Sequence, residues 1–411
     1  MPTTLFKNIE TLAGIGNPSQ PLRGSALSAL STINNAYLLV EDNEIAAFGP
    51  MQDLKIEGAG DTIDASGRFL LPAWCDSHTH LVFAASREEE FVDKLKGLTY
   101  AEIAAKGGGI LNSARKLQAT SEDELFNSAW KRLEELARWG TGAVEIKSGY
   151  GLTVEAELKM LRVIKRLKER SPLSIKATFL GAHTYPPEFR DDHAGYIHSI
   201  IHEMLPVIAR EKLADYIDVF CENGFFSPAE TETICLAGMQ YGLKPKIHAN
   251  QLNLSGGVEV GVKLNAVSVD HLETMNEETI RLLASSNTIA TMLPTAAFFL
   301  RMPYQPARQM IDAGCAVALA TDFNPGSSPS GNMNLLLSMS CIQMKMLPEE
   351  AINAATINGA FAMELNQQLG SIATGKKASL ILTKEIPSLA YLPYAFGNTL
   401  VERVMVNGEW R

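Results

Sequence analysis

Four histidines and one aspartate are the residues of this sequence whose types and spacing best suit chemistry. His78 and His80 form a His-x-His pair directly after an apolar segment, whereas His248, His271 and Asp322 each end a later apolar segment. In extended backbone the side chains at positions i and i+2 point to the same side, so both imidazoles of the pair can reach one ion. Three imidazoles and a carboxylate suit zinc or iron, with one position left open for water.

Each of these residues also has an ordinary explanation when it is taken alone. A lone His-x-His pair is usually not a metal site, and a single histidine at 248 or 271 is more often a satisfied core or surface residue. Asp322 alone would be read as the cap of a helix starting near Pro325. Together with His183, which also ends an apolar segment, the strand-end positions account for five of the eight histidines and favour a metal site. The remaining histidines lie in a polar helical stretch and are expected to be solvated: His193, His198 and His202.

The elements that must position these residues alternate between apolar segments and helical patterns. Capping boxes begin helices at Ser121 and Ser227, and Asn276 caps a third. Eight strands separated by helices favour a (β/α)8 TIM-like barrel, whose catalytic groups lie where the strands end, over the rival open, doubly wound sheet. The eight candidate strands are 69–76, 142–147, 174–181, 216–221, 245–249, 266–270, 288–293 and 315–321.

Both ends of the chain have a different pattern from the middle. Strand-like segments 36–40 and 44–48 flank a turn, and 378–382 and 400–406 precede the tight-turn pair Asn407-Gly408. We therefore expect an α/β protein of two domains. They are a composite β-sandwich domain from residues 1–70 plus 370–411 and a metal-dependent barrel catalytic domain from residues 71–369.

Composition excludes several classes of protein. Hydrophobic residues make up 46% and charged residues 20% of the 411 residues, which is typical of a globular protein and not of a disordered or collagen-like chain. The net charge of −10 argues against a nucleic-acid partner. We expect no membrane partner, because no apolar run reaches the roughly 20 residues that span a bilayer. The five scattered cysteines and the lack of a visible secretory signal predict a cytoplasmic protein with reduced thiols.

The segment Leu71-Pro-Ala-Trp-Cys-Asp-Ser-His-Thr-His80 resembles the P-G-x-x-D-x-H-x-H signature of the amidohydrolase superfamily, with Ala73 where glycine is usual. Further segments make the match closer, and the whole chain resembles the imidazolonepropionase family. The Asp322-Phe-Asn-Pro-Gly run and the Lys147-Ser-Gly-Tyr-Gly loop point to this family most specifically. The other matching segments are Arg87, Leu180-Gly-Ala-His-Thr184, His248-Ala-Asn-Gln251 and Asp270-His-Leu-Glu273.

The resemblance implies hydrolysis of 4-imidazolone-5-propanoate to N-formimidoyl-L-glutamate in histidine degradation. It implies one metal ion, zinc or iron, held by residues matching His78, His80, His248 and Asp322. One ion is favoured because Cys221-Glu-Asn follows the fourth strand, where two-metal relatives carry a bridging lysine. Lys147 is interpreted as a loop residue.

We hypothesise three catalytic residues for this reaction. Asp322 accepts the proton of a metal-activated water, and His271 orients that water or the developing oxyanion. Gln251 can position a group but cannot take a proton, so the sequence leaves the proton route open.

The small anionic substrate needs a cation for its propanoate, and the fork of the Arg87 guanidinium can bind a carboxylate bidentately. The alternative is an ordinary surface arginine. The other expected substrate-binding residues follow from the resemblance: Tyr150, His183, Gln251, Asn324, Gly326 and Ser327.

Two other functions remain open at this stage. One is another cyclic amidohydrolase or a nucleobase deaminase of the same superfamily, which would share the metal site without needing an arginine for a carboxylate. The other is a non-catalytic scaffold paralogue, although none of the expected metal ligands is missing. A homodimer is expected from related proteins only.

Overall fold

The structure is a computed structural model that describes residues 3–55, 60–98, 102 and 108–411. The described chain contains two eight-stranded sheets, one parallel and one mostly antiparallel. The parallel sheet follows chain order from β6 to β13, which is the order that a chain of alternating strands and helices produces. The mostly antiparallel sheet combines strands from both ends of the chain.

The parallel strands form the barrel. Their register places the ends of neighbouring strands together, for example His248 opposite Asp270 and Ala249 opposite His271. The barrel closes where the chain leaves the last strand, because the Asp322 N–H donates to the His78 carbonyl oxygen at 2.9 Å. The eight strands are β6 (Trp74–Thr79), β7 (Thr141–Lys147), β8 (Ser174–Ala182), β9 (Tyr216–Cys221), β10 (Lys244–Ala249), β11 (Ser268–His271), β12 (Ile289–Met292) and β13 (Val317–Leu319).

The sheet of the two termini has the strand order β16-β15-β14-β5-β1-β2-β3, and β4 also pairs with β1. Its apolar core draws on both ends of the chain, since Phe6 and Leu38 pack with Leu380 and Met405. The strands are β1 (Thr3–Ala13), β2 (Thr32–Glu41), β3 (Glu44–Pro50), β4 (Asp61–Asp64), β5 (Arg68–Pro72), β14 (Leu380–Glu385), β15 (Val401–Val406) and β16 (Glu409–Trp410).

Helices cover the outside of the barrel, and several begin as the sequence predicts. Ser121 caps its helix with a complete capping box, because its hydroxyl accepts from the Glu124 N–H and the Glu124 carboxylate accepts from the Ser121 N–H. Ser227 makes the equivalent capping box, and Asn276 caps a third helix.

The helices, numbered in chain order, are α1 (Glu88–Leu95), α2 (Ile110–Ala119), α3 (Glu122–Arg138), α4 (Val154–Arg170), α5 (His193–Ser199), α6 (Leu205–Glu211), α7 (Pro228–Gln240), α8 (Gly257–Lys263), α9 (Glu277–Ala284), α10 (Pro294–Leu300), α11 (Ala307–Asp312), α12 (Met333–Met344), α13 (Pro348–Ala355), α14 (Ile357–Ala362) and α15 (Tyr391–Tyr394). None of these helices is long and apolar enough to cross a membrane.

The structure confirms the α/β fold with a (β/α)8 barrel and a sheet domain built from both termini. The first predicted strand, 69–76, is wrong in one respect, because it is two strands that belong to different sheets. Ala73 separates β5 from β6: its N–H donates to Ser379 of the terminal sheet, and the next N–H, that of Trp74, donates to Gly140 at the base of the barrel. Both strands are buried, so their apolar pattern is continuous and hides the junction. The predicted domain boundaries at 70–71 and 369–370 stay a prediction.

Candidate metal centre and active site

The ends of three barrel strands bring the four predicted metal ligands together. Asp322 follows β13, and its Oδ1 lies 3.5 Å from the Nε2 atoms of both His78 and His80. The Nε2 atoms of His80 and His248 are 3.4 Å apart. All four side chains are buried. Residues from the first, fifth and eighth strands of the barrel therefore form one compact set of donor atoms.

The chemistry of this donor set fits a metal ion. The Nε2 atom of His78 is buried, and none of the described residues forms a hydrogen bond with it. Burial lowers the pKa of His78, His80 and His248 well below the ordinary value, and positive neighbours add to the effect. The imidazoles are therefore neutral, which is the form that binds metals. The nitrogen lone pairs and the carboxylate oxygen repel one another at these distances, and a bound cation would remove that repulsion.

Two buried carboxylates face the histidine rings from behind. Asp270 Oδ2 lies 2.7 Å from the Nδ1 atom of His78, and Asp218 Oδ2 lies 3.0 Å from the Nδ1 atom of His248. The Asp270 carboxylate accepts the hydrogen of His78 Nδ1 and leaves the lone pair of its Nε2 available to an ion, whereas Asp218 lies beside His248 Nδ1 without forming a hydrogen bond to it. The ligand geometry is thus prepared by residues on the neighbouring strands β9 and β11.

Lys147 is not the loop residue that the sequence indicates. It is the last residue of β7, and its ammonium lies inside the barrel, 2.8 Å from Asp218 Oδ2, 2.5 Å from Glu145 Oε1 and 3.5 Å from Asp270 Oδ2. Burial opposes its charged form, but the surrounding carboxylates outweigh burial and raise the pKa of Lys147. Lys147 therefore links the two carboxylates that face His78 and His248.

The backbone around Asp322 is held in a strained conformation. Asp322 has a φ of +53°, which is uncommon for a residue with a side chain. The preceding residue is fixed by Asp76, whose carboxylate accepts from the Thr321 N–H at 3.0 Å and from its hydroxyl at 2.6 Å. Burial raises the pKa of Asp322 to about 6, against the lowering effects of His271 and Asn324. The carboxyl group is thus held close to the metal ligands and is a stronger base than an exposed aspartate.

His271 lies beside the metal ligands at the end of β11. Its ring centre is 5.2 Å from that of His248 and 5.6 Å from that of His78. The Nδ1 atom lies 3.4 Å from Glu273 Oε1. Burial lowers the pKa of His271, but the charge and hydrogen bond of Glu273 together with the charges of Asp322 and Asp270 outweigh burial, and the net direction is upward.

Arg87 is half-buried at the start of α1 and is not an ordinary surface arginine. Its Nε donates to the Ser113 hydroxyl at 2.8 Å, and its Nη2 is buried without a hydrogen-bond partner among the residues that the structure describes. The guanidinium carbon lies 5.9 Å from the centre of the Tyr150 ring. A Cβ at Gly326 would lie 2.5 Å from Nη1, so only glycine lets the loop approach the guanidinium this closely. A buried guanidinium nitrogen without an acceptor is suited to an anionic ligand.

Tyr150 and His183 lie against His80, one of the predicted metal ligands. The rings of His183 and His80 stack with centres 5.3 Å apart, and the Tyr150 ring is 5.8 Å from His80 and 5.5 Å from His183. The Nδ1 of His183 lies 3.0 Å from the carbonyl oxygen of Gly149. Two aromatic side chains thus flank the same side of the donor set as Arg87.

The loop that carries Tyr150 is wrapped around one buried carboxylate. Glu157 of α4 accepts hydrogen bonds from the N–H groups of Gly149 at 3.0 Å, Gly151 at 2.6 Å and Leu152 at 3.1 Å. Gly149 in turn contacts His183. One carboxylate therefore fixes the backbone that positions both ring-facing side chains.

Residues 324–327 form a turn and not the start of a helix. The side-chain oxygen of Asn324 accepts from the N–H groups of Gly326 and Ser327, both at 2.8 Å. The Ser327 hydroxyl lies 3.3 Å from Asp322 Oδ2. The possibility that Asp322 caps a helix near Pro325 is therefore wrong, because the next helix, α12, begins at Met333.

Gln251 is half-buried in the loop after β10. This loop is anchored next to it, since the N–H groups of Leu252 and Asn253 donate to the buried Glu222 carboxylate. Across the described part of the chain, the amide of Gln251 makes no hydrogen bond to the metal-site residues. Gln251 is therefore the one predicted site residue that the structure does not join to the others by a direct contact.

Sequence analysis missed the charged residues inside the barrel and beneath the metal site. They carried a signal, because each is a charged residue within an otherwise apolar strand that ends at the site. An apolar strand of a closed barrel has no solvated face, so a charge there must be paired inside. These residues are Glu145, Lys147, Asp218, Lys246 and Asp270.

Comparisons with known proteins agree with this geometry. The model of the amidohydrolase family matches residues 69–411, which contain the whole barrel. The chain therefore belongs to the amidohydrolase family, whose members are hydrolases, and its buried His and Asp groups could hold a metal ion.

Full-length relatives narrow the assignment. The chain is 59% identical over 407 residues to the imidazolonepropionase of Flavobacterium johnsoniae, with 99% of both chains covered. It is 45% identical to the imidazolonepropionase of Clostridium tetani, with 94% of this chain and 93% of the relative covered. Within the amidohydrolases, the chain belongs to the imidazolonepropionase family.

Solved structures support the fold. A variant of the atrazine chlorohydrolase TrzN of Arthrobacter aurescens, solved with zinc and atraton, superimposes with a TM-score of 0.75 at 16% identity over 99% of this chain and 94% of its own. The guanine deaminase of Escherichia coli gives a TM-score of 0.74 at 13% identity over 100% and 99% of the two chains. At these identities the likeness concerns the architecture alone.

Proposed function

We propose that this chain hydrolyses 4-imidazolone-5-propanoate to N-formimidoyl-L-glutamate, a step of histidine degradation. The observation that carries the proposal is the buried and unpartnered Nη2 of Arg87, which lies close to Tyr150 on the same side of the metal donor set. This arrangement suits a flat ring with an anionic tail. The full-length identity to several imidazolonepropionases supports the same reaction.

The metal site in this proposal holds one ion, zinc or iron, through His78, His80, His248 and Asp322. When bound, such an ion lowers the pKa of a water molecule towards neutrality and polarises the bond to be broken. A single ion is supported by Lys147, because its ammonium already neutralises the carboxylates beneath the site.

Asp322 is the proposed base of the reaction. Its carboxylate takes a proton from the attacking water, and its raised pKa of about 6 suits this role near neutral pH. The water oxygen forms a bond to the ring carbonyl carbon while the C–N bond breaks, and the proton held by Asp322 passes to the leaving nitrogen. His271 donates a hydrogen bond to the oxygen that gains negative charge.

The remaining side chains hold the substrate. Arg87 binds the propanoate with two parallel N–H donors. Tyr150 and His183 flank the imidazolone ring. Asn324, Gly326 and Ser327 form the turn that borders the ring beside Asp322, and Gln251 positions a polar group of the substrate without exchanging a proton.

The test is a hydrolysis assay with the metal-reconstituted enzyme. We expect turnover of 4-imidazolone-5-propanoate and none of guanine, cytosine or hydantoin, which have no propanoate for Arg87. Turnover of a nucleobase in place of imidazolonepropanoate would assign the chain to the deaminases. Absence of metal and of all these activities would favour a scaffold protein.

We also infer a cytoplasmic homodimer. The five cysteines are all free and four are buried, which fits a reducing compartment. Light scattering of the purified protein tests the dimer, and a mass near the 44.7 kDa of one chain would contradict it.

A further inference from the structure

Glu273 is a buried carboxylate that the proposed reaction does not use. Its side chain is 1% exposed, and its Oε2 has no hydrogen-bond partner in the described part of the chain. Its Oε1 lies 3.4 Å from the Nδ1 of His271. A buried carboxylate with so few partners is costly to keep unless it serves a neighbouring group.

The backbone bends sharply to bring Glu273 back to His271. His271 has a φ of +87° and Leu272 a φ of +69°, so two consecutive residues with side chains adopt the left-handed region. The bend is held by two hydrogen bonds to the neighbouring strand end, from Leu272 N–H to Ala249 and from Thr274 N–H to Asn250. Strain of this kind persists where the surrounding structure requires a particular geometry.

The other buried carboxylates near the site are already engaged. Asp218 and Asp270 face histidine ligands and Lys147, and Asp76 accepts two hydrogen bonds from Thr321. Glu222 accepts from the N–H groups of the loop after β10. Among the described residues, Glu273 is the one of these carboxylates whose side chain pairs with His271 alone, while Gln251 offers an amide and no carboxylate.

We propose that Glu273 is the positioning residue of His271. Its carboxylate holds the hydrogen on Nδ1 and fixes the ring, so that Nε2 points to the reacting oxygen beside the metal site. The inference rests on the proposed function for its effect on turnover, but the geometry of the pair is independent of the substrate.

Three variants test the proposal: Glu273→Leu, Glu273→Gln and, as a control, Glu278→Gln. Glu278 is exposed on α9 and has no place in the site. We expect Glu273→Leu to lower kcat by about 10- to 100-fold, the range found for residues that orient a catalytic or ligating group. KM and the bound metal per chain stay as in the unchanged enzyme. Glu273→Gln keeps an oxygen acceptor for Nδ1–H and recovers part of the lost kcat, and Glu278→Gln has no effect.

Nitrogen NMR of histidine-labelled protein gives a readout that needs no substrate. The His271 signals, identified with His271→Gln, show the hydrogen on Nδ1 in the unchanged protein and in Glu273→Gln, and a shift to the other tautomer in Glu273→Leu. An unchanged tautomer in Glu273→Leu, or an unchanged kcat, overturns the proposal. Parallel losses of metal, fold and activity in both Glu273 variants overturn it as well, because they indicate a purely structural role. If the unchanged enzyme does not hydrolyse imidazolonepropanoate while the tautomer follows residue 273, the proposed function fails and the pairing stands.

Discussion

Replacement of Arg87 by methionine removes the guanidinium while it keeps an unbranched side chain of similar length. Among the described residues the buried Nη2 has no partner, so it is available to bind a carboxylate, and Nη1 lies against Gly326. Removing one partner of a buried, hydrogen-bonded charge pair costs about 2–5 kcal/mol. At about 1.36 kcal/mol for each factor of ten, kcat/KM is expected to fall about 30- to 5,000-fold.

The loss should appear mainly in KM. The propanoate does not react, so its contact with Arg87 stabilises the bound substrate and the transition state alike, and removing it raises KM with little change in kcat. Steady-state kinetics on the metal-reconstituted enzyme measure both parameters. Arg138→Met is the matched control, because Arg138 is exposed at the end of α3, far from the strand ends that carry the site.

A pair of inhibitors separates binding of the carboxylate from damage to the site. The unchanged enzyme should prefer imidazole-4-propanoate to 4-propylimidazole, which has the same ring without the carboxylate. Arg87→Met should lose this preference while it binds 4-propylimidazole as before. Equal weakening for both inhibitors, or an unchanged KM for the substrate, would refute the assignment of Arg87 to the propanoate.

Four further predictions follow from other contacts. Gly326→Ala places a Cβ 2.5 Å from Arg87 Nη1 and should raise KM without changing the metal content, measured by kinetics and elemental analysis. Glu157→Gln sets an amide N–H against backbone donors, so it should lower the free energy of unfolding by about 1–3 kcal/mol in urea titrations and raise KM. Asp270→Asn should weaken metal binding by about 10- to 100-fold in chelator competition, because the asparagine orients its histidine less well. Burial lowers the pKa of Lys376 to about 8 in the folded chain. Between pH 8 and the ordinary pKa of lysine, the unfolded chain therefore binds more protons than the folded chain, so the free energy of unfolding should rise with pH. Lys376→Met should lack that rise in melting experiments.

The sequence predicted the barrel well because each strand end carried both a structural and a chemical signal. An apolar segment predicts a strand, and His248, His271 or Asp322 at its end predicts a part of the site. The helices around them were predictable where local chemistry determines the start, as at Ser121 and Ser227. The junction at Ala73 was not predictable, because β5 and β6 are both buried and share one apolar pattern.

The contacts that organise the site could not be derived from local patterns. Lys147 follows a strand and precedes Ser148-Gly149, which is typical of a loop, yet its ammonium lies among carboxylates from three other positions of the barrel. The Glu157 carboxylate lies in the first turn of α4, where an acidic residue needs no special explanation. Only the three-dimensional arrangement shows that it holds the loop of Tyr150. The interior of a closed barrel pairs charged residues that are far apart in the sequence, and such pairs produce no periodic pattern from which they could be predicted.

The pairing of β5 with β14 has a consequence for how the protein is made. Leu71 lies opposite Ile381, so almost the whole barrel is synthesised between these two partners. Until the ribosome has delivered β14, β5 offers a row of unpaired backbone groups at a sheet edge, which is a template for aggregation. The terminal sheet must therefore be completed last. Chains that stop before Leu380 are expected to aggregate during expression even when their barrel sequence is intact, and co-expression of a 370–411 peptide should reduce that loss.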